Sequence, residues 1–331
     1  MLLIFLFWML FAIVFALAIG AIYLIVSIIN KAANKRKTSL RPYIIVWATL
    51  SITWLGIMVY GHLIGRWELE VKNYDLNLPP DQLPEAFDGY KIVHFSDLHL
   101  DGWQNNPEKL ENVVSQINKS NADIVCFTGD IVSYDYHELE TMMPILSRVY
   151  ARSGVYSILG NHDYAYFRRG ISDEQRQALT DTLIMKQQEM GWRVLLNENL
   201  QLHKGNDSIA LAGSENQSYG LGRRIQSGDI KKTLDGISEE EFTILLTHDP
   251  SQWGHDIKDS TAVDLTLAGH THAWQINICG FTPAEFLFSE SSGWYHYNRQ
   301  HIYVSVGLGG TLRFRVGATP EIAVITLRRL K

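Results

Sequence analysis

Residues 91–99 read KIVHFSDLH, a short β-branched and apolar run that stops at Ser96 and gives way to Asp97-Leu98-His99. Four further stretches repeat the pattern. DIVCFT (123–128) ends at Gly129-Asp130, and VYSIL (155–159) ends at Gly160-Asn161-His162-Asp163. FTILL (242–246) ends at Thr247-His248, and VDLTLA (263–268) ends at Gly269-His270-Thr271-His272. Short apolar runs bounded by turn residues predict buried strands. Polar residues just past such strands lie on loops along one edge of a sheet, where side chains distant in sequence can converge on one point.

The residue types say what that point could hold. Asp, His and Asn offer oxygen and imidazole nitrogen, a donor set suited to Mn, Fe or Zn without any thiolate. Two divalent or trivalent ions about 3.5–4 Å apart need a shared carboxylate. Asp130 fits that role, because Gly129 lets the backbone turn tightly and bring the carboxylate inward. Such ions lower the pKa of a bridging water, so that hydroxide is available as a nucleophile at neutral pH, and they hold a phosphate for in-line attack. His162, next to Asn161, is the candidate for stabilising the developing charge or protonating the leaving oxygen. Asp163 is expected to orient His162 and keep it protonated.

Each piece alone is common in proteins; a lone Gly-Asn-His, for example, reads as a turn with a capping Asn. Five pieces in this order, each after a strand, resemble the calcineurin-like metallophosphoesterase superfamily, over about residues 90–331. Within it, FSDLHL, GNHDY, LAGHTH, a late strand from Pro320-Glu321-Ile322 to Leu327 and two N-terminal spans resemble the YkuE/YaeI-like membrane phosphodiesterases. The resemblance implies an α/β fold of four layers, an αββα sandwich with two mixed sheets face to face and helices outside. It implies one ion held by Asp97, His99, Asp130 and His272, and a second held by Asp130, Asn161, His248 and His270. Two departures from that branch fall beside the ligands: Ala273-Trp274 stands where small glycines are usual, and Ser305-Val306-Gly307 where Ser-Arg-Gly is usual. Both are expected to change the substrate rim. His94 and His301 flank strands and are read as packed or surface histidines. His137, His203, His255 and His296 have no partner motif and are read as structural, with Trp253 and His255 left open as a border of the site.

The N-terminal part is of another kind. Met1–Asn30 contains no charged side chain, and Leu2–Ile29 exceeds the roughly 20 apolar residues that cross a bilayer. Pro42 opens a second uncharged run from Tyr43 to about Ile64. A cleaved signal peptide fits poorly, since the run has no basic start and is too long. Helices apolar all round rarely find a globular partner, so two membrane spans are expected. Lys31, Lys35, Arg36, Lys37 and Arg41 crowd the connection between them. Basic loops stay cytoplasmic, which places both termini and the catalytic domain outside the cytoplasm. The expected organisation is a hairpin over 1–66 with a basic cytoplasmic loop at 31–42, a linker over 67–89 and one domain over 90–331. Alternating apolar positions in Trp67–Leu78 predict an edge strand within that linker. Helices are predicted over Pro107–Ser120, Tyr136–Ala151 and Ser172–Met190, the last with a capped start.

Charge narrows the partners. Six of the 29 basic residues and none of the 35 acidic ones precede Glu68, so residues 68–331 carry 23 basic and 35 acidic side chains, a formal −12. A nucleic-acid-binding surface would want the opposite sign. No nucleic acid and no protein partner are expected; the partners expected are the membrane and a phosphoester, a lipid headgroup fitting best. Two cysteines, Cys126 and Cys279, define no disulfide framework. Aromatics crowd residues 281–297 and either fill space under a loop or form an apolar rim beside the ions. The expectation is a membrane-anchored two-metal phosphohydrolase cleaving a phosphodiester or pyrophosphate. The alternatives are a UDP-2,3-diacylglucosamine-type pyrophosphatase, a phosphoprotein phosphatase and a non-catalytic scaffold of the same fold. His162 speaks against the scaffold, because such scaffolds resemble the family while lacking that histidine.

Overall fold

The structure, a computed structural model, describes residues 2–219 and 225–330. It divides into two compact units, one of Met1–Arg66 with Phe314–Val316, the other of Trp67–Arg313 with Gly317–Lys331.

In the first unit, α1 (Leu2–Ala32) and α2 (Arg41–Leu63) form an antiparallel hairpin. Indole N–H groups lock the pair: Trp8 Nε1 donates to the Ser51 carbonyl at 2.9 Å and Trp47 Nε1 to the Ala12 carbonyl at 2.8 Å. Phe11 lies against Trp54 with ring centroids 4.4 Å apart. Pro42 sits in the first turn of α2, where its missing N–H leaves no helical bond unmade. Leu17, Ile28 and Ile52 are about 70 % exposed, so the hairpin is apolar on its outside as well as at its seam. Both helices are long and apolar enough to span a membrane.

The second unit holds two six-stranded mixed sheets. The first sheet uses β1 (Glu70–Leu78), β2 (Lys91–Phe95), β3 (Ile124–Phe127), β4 (Val155–Ser157), β5 (Trp192–Val194) and, from the far end of the chain, β12 (Glu321–Arg329). Its order is β1-β12-β2-β3-β4-β5, with β2 to β5 parallel and β12 antiparallel to β2. The second sheet uses β6 (Glu198–Lys204), β7 (Asp207–Gly213), β8 (Thr243–Leu246), β9 (Leu265–Ala268), β10 (Gly293–Tyr297) and β11 (Gln300–Val304), in the order β10-β11-β9-β8-β7-β6. Two hairpins, β6–β7 and β10–β11, close its edges, and β7, β8, β9 and β11 run parallel.

Alternation along the strands builds the layers. Ile92, Ile124, Ile244, Leu246, Leu265, Leu267 and Ile325 meet between the sheets. Val93, Phe95, Val125 and Phe127 face the other way, onto Leu110, Val113 and Ile117 of α3 (Pro107–Lys119). Outside the second sheet, Leu245, Ile302 and Val304 pack on Trp253 and Ile257. The expected αββα arrangement is what forms. Trp253 is thereby core, and the His255 ring stacks on Tyr219.

One expectation changes. The helix predicted over Tyr136–Ala151 is two short ones, α4 (His137–Glu140) and α5 (Met143–Leu146). Pro144 cannot donate to the carbonyl of Glu140 four residues earlier, so α4 stops there. The edge strand expected within residues 67–89 forms as β1, which pairs with β12 from Glu70↔Glu321 to Leu78↔Arg329 at the margin of the first sheet. Pro79 and Pro80 then end the strand, having no N–H for a ladder. Helix α6 (Asp173–Glu189) starts as expected: Ser172 Oγ accepts from the Gln175 amide, and the Gln175 side chain accepts from the Ser172 amide. A further short helix, α7 (Ile230–Thr233), follows the undescribed residues 220–224.

Candidate metal centre

All five motif loops leave the C-terminal ends of parallel strands: β2, β3 and β4 in one sheet, β8 and β9 in the other. Face-to-face packing brings these ends together. Oxygen and nitrogen atoms of Asp97, His99, Asp130 and His272 lie within 4.8 Å of one another, and so do those of Asp130, His248 and His270. Asp130 belongs to both groups. His99 Nε2 and His272 Nε2 are 3.2 Å apart, with Asp130 Oδ2 3.5 Å from the former and Asp97 Oδ1 3.6 Å from the latter. In the second group His248 Nε2 is 3.2 Å from Asp130 Oδ2, from Asn161 Oδ1 and from His270 Nδ1. Asn161 Oδ1 is 2.9 Å from His270 Nδ1, which completes that group with the residue expected.

An ion with bonds of about 2.0–2.2 Å holds its own donors roughly 3–3.5 Å apart, the spacing seen here. Ring orientation agrees. His248 Nδ1 donates to the Thr128 carbonyl at 2.7 Å, which turns the lone pair of Nε2 inward. Asp249 Oδ2 lies 3.5 Å from His270 Nε2 and leaves Nδ1 to face Asn161. Electrostatics point the same way. Asp97 and Asp130 are fully buried. Burial works against charge on His248, yet the nearby Asp130 and Asp97 outweigh it and raise its pKa to about 10. Two buried carboxylates thus demand positive charge, which a cation supplies more fully than a proton; its binding would release that proton. The donor set fits a divalent metal ion.

The loops carry backbone strain. Asp97, His99, Asp130, His270 and His272 all have positive φ, between 48° and 73°. Non-glycine residues rarely occupy this left-handed region, and such outliers concentrate at functional sites. Here the turn at each strand end swings the side chain inward. Ala273, Trp274 and Gln275 continue in the same region, a full left-handed turn after His272. Glycine is easiest there, which gives a physical meaning to the Ala273-Trp274 departure. Gly129 has φ 91°, as the tight turn before Asp130 requires. Gly160 is needed for space: a Cβ on it would collide with the Asp130 carboxylate and amide.

His162 is beside the ligands, its ring edge-on to His99 with centroids 4.7 Å apart. Asp163 does not orient it. The Asp163 carboxylate instead accepts from the amides of Asp130, Ile131, Val132 and Gly160 at 2.8–3.2 Å. It is buried under the loop, where unpaired amides pull harder than a side chain that can find another acceptor. His162 Nδ1 donates to the Ser133 carbonyl at 2.9 Å, and its ring stacks on Phe167. Two supports were missed in the sequence. Asp249 directly follows a ligand, a position where an acidic residue could have been noticed. Glu138, half-buried and bonded to the amides of Asp101, Ser133 and Tyr134, shapes the carbonyl that holds His162 and has no sequence signal.

The residues once grouped as an aromatic rim divide in two. Trp294, Tyr295 and Tyr297 lie on β10 and pack against the cores. Phe281 and Phe286 are exposed, with Trp274 and Ile278, and Phe288 approaches His270 with centroids 5.6 Å apart.

A fold of two facing sheets with aspartates and histidines at their shared edge defines a class, and the comparisons agree with it. The profile of calcineurin-like phosphoesterases matches residues 90–274, and the chain belongs to that family of metal-dependent phosphoester hydrolases. It is similar to the uncharacterised metallophosphoesterase YkuE of Bacillus subtilis, 33 % identical over 257 residues, covering 74 % of this chain and 82 % of that one. It is also similar to a transmembrane protein with metallophosphoesterase domain of Danio rerio, 29 % identical over 267 residues and 78 % of this chain, of which it spans 57 %. Among solved structures, a dimetal phosphatase from Danio rerio superposes with TM-score 0.42 at 15 % identity, covering 68 % of this chain and 90 % of that one.

Proposed function

We propose that this protein is a membrane-anchored phosphohydrolase that holds two metal ions and cleaves a phosphodiester or pyrophosphate in a lipid-linked substrate. The observation that carries the reading is the position of Asp130 between two sets of buried donors. Asp97, His99, Asp130 and His272 would hold one ion, and Asp130, Asn161, His248 and His270 the other. Bound there, Mn, Fe or Zn would polarise the phosphate and make water acidic enough to attack at neutral pH. His162, fixed through Nδ1, keeps Nε2 for the phosphate or the leaving oxygen. Asp163 and Asp249 stand behind the ligands: one ties down the Asp130 loop, the other sets the His270 ring.

Two features support the lipid. The hairpin of α1 and α2 would keep the domain at a membrane surface. Phe281 and Phe286 present exposed aromatic side chains on the loop after the last ligands, the kind that lies well at a bilayer interface. The basic 31–42 connection supports a domain on the extracytoplasmic side. The test is a hydrolysis panel on the detergent-solubilised chain with Mn, comparing a diester, a monoester and lipid pyrophosphates. Turnover of the lipid pyrophosphates or diester above the monoester is expected. Monoester preference would overturn the substrate class, and no turnover of any member would overturn the enzymatic reading.

A further inference from the structure

Glu321 opens β12, between β1 and β2 in the first sheet, and is only 1 % exposed. A carboxylate is costly to strip of water, and strand pairing asks for none at this place. Both of its oxygens have partners. Oε2 lies 2.7 Å from Lys72 Nζ on β1. Oε1 accepts from the Tyr303 hydroxyl at 2.8 Å and from the Val306 amide at 3.2 Å, groups carried by β11 of the second sheet and by the loop that leaves it. Tyr303 stays protonated as that donor, because burial and the neighbouring Glu321 charge raise its pKa.

The loop so held, residues 305–309, bridges two ligand-bearing strand ends. The Ser305 amide donates at 2.8 Å to the carbonyl of Ala268, which ends β9 just before Gly269-His270. After β2, the Leu308 amide donates to the Ser96 carbonyl at 3.0 Å and the Gly309 amide to the Asp97 carbonyl at 2.7 Å. Gly307 lies so close that a Cβ on it would come within 2.6 Å of the Asp97 Cβ. The loop therefore backs the turn at Asp97, whose φ is 56°. A non-glycine residue stays in that region only where its surroundings over-determine it.

We infer that Glu321 is a positioning residue for the ion that Asp97 would hold: its carboxylate fixes the 305–309 loop through Val306 and Tyr303, and the loop keeps Asp97 in its ligating turn. This rests on the proposed two-metal reading and adds to it a residue outside the five ligand loops. The loop's bonds run to the ends of β2 and β9, whereas Asn161 and His248 of the other donor group follow β4 and β8. Loss of Glu321 therefore weighs on the Asp97 side.

The test is a calorimetric titration of the metal-free full chain in detergent with Mn, with Asp97→Asn marking which of the two binding steps belongs to Asp97. Glu321→Ala should weaken that step roughly 10- to 100-fold, the usual effect of removing a partner behind a metal ligand, and weaken the other step less. Glu321→Gln keeps an acceptor for Val306 and Tyr303 and should recover part of the loss. Where Glu321→Ala does not fold, Tyr303→Phe decides, since it removes one of the two bonds and should weaken the same step. A lower Tm with both Mn affinities unchanged, or equal weakening of both steps, overturns the positioning role and leaves the two-metal reading intact. A wild-type chain that binds fewer than two Mn ions overturns that reading itself.

Discussion

Asp130 is the residue on which the site turns, since its carboxylate alone belongs to both donor groups. Asp130→Asn should lower the metal content of the purified protein, measured by elemental analysis. The affinity loss should exceed the roughly 10–100-fold that follows removal of a supporting partner. Two ions retained at near-wild-type turnover would contradict the assignment. His162 should separate from the ligands. His162→Ala is expected to keep the metal and lose about 10²–10⁴ in rate, less on a nitrophenyl ester whose leaving group needs no proton. Equal losses on good and poor leaving groups would restrict His162 to charge stabilisation. Asp163 differs from both. Asp163→Ala strands the amides of Asp130, Ile131, Val132 and Gly160, each worth about 1–3 kcal/mol when buried without a partner. The expected result is a several-degree fall in Tm with metal loss, and an unaltered dependence on the leaving group. A stable variant with the kinetics of His162→Ala would restore the orienting role expected from the sequence.

Among the elements, β2 carries a pH dependence. His94 points between the sheets, fully buried, with Nε2 2.8 Å from Thr128 Oγ1 and its ring edge-on to Tyr303. Burial pushes its pKa down to about 3. The unfolded chain takes up a proton below pH 6.5 while the folded one stays neutral, so stability drains away as pH falls from 6.5 towards 3. The slope is up to about 1.4 kcal/mol per pH unit from this one group. Tm of the chain measured across that range should flatten in His94→Phe relative to wild type; parallel curves would show that His94 is protonated in the fold. The reading of His94 as a packed histidine is consistent with this placement. The strand ends were legible for a plain reason: a buried strand must be apolar, so polar clusters after it stand out. The left-handed turns from Asp97 to Gln275 were not, because aspartate and histidine occur in every backbone region and only packing selects the strained one.

For the whole molecule, the proposed anchoring predicts which side of the membrane the domain faces. The five basic residues of the 31–42 connection should hold it in the cytoplasm and place residues 67–331 outside. A reporter active only outside the cytoplasm, fused after Lys331, should be active. Replacing Lys31, Lys35, Arg36, Lys37 and Arg41 by neutral residues should reduce the signal. A silent reporter on the unmodified chain, with a cytoplasmic one lit, would reverse the topology. It would also favour a UDP-linked lipid as substrate, because enzyme and nucleotide precursor would then share a compartment.

What the sequence determined alone is local or periodic: two apolar runs of spanning length, five strand ends bearing ligands, a capped α6 and the α/β alternation. These follow from hydrophobic pattern and turn chemistry, which neighbouring residues express together. Tertiary structure decided the rest. The expected edge strand finds its partner only there: the pairing of β1 with β12 joins residues some 250 positions apart. The partners of Asp163 and the support of His162 by Ser133 and Phe167 depend on how packed loops satisfy buried amides. That is settled by the cost of leaving a polar group unpaired, and the pairing available to each group exists only once both sheets have met.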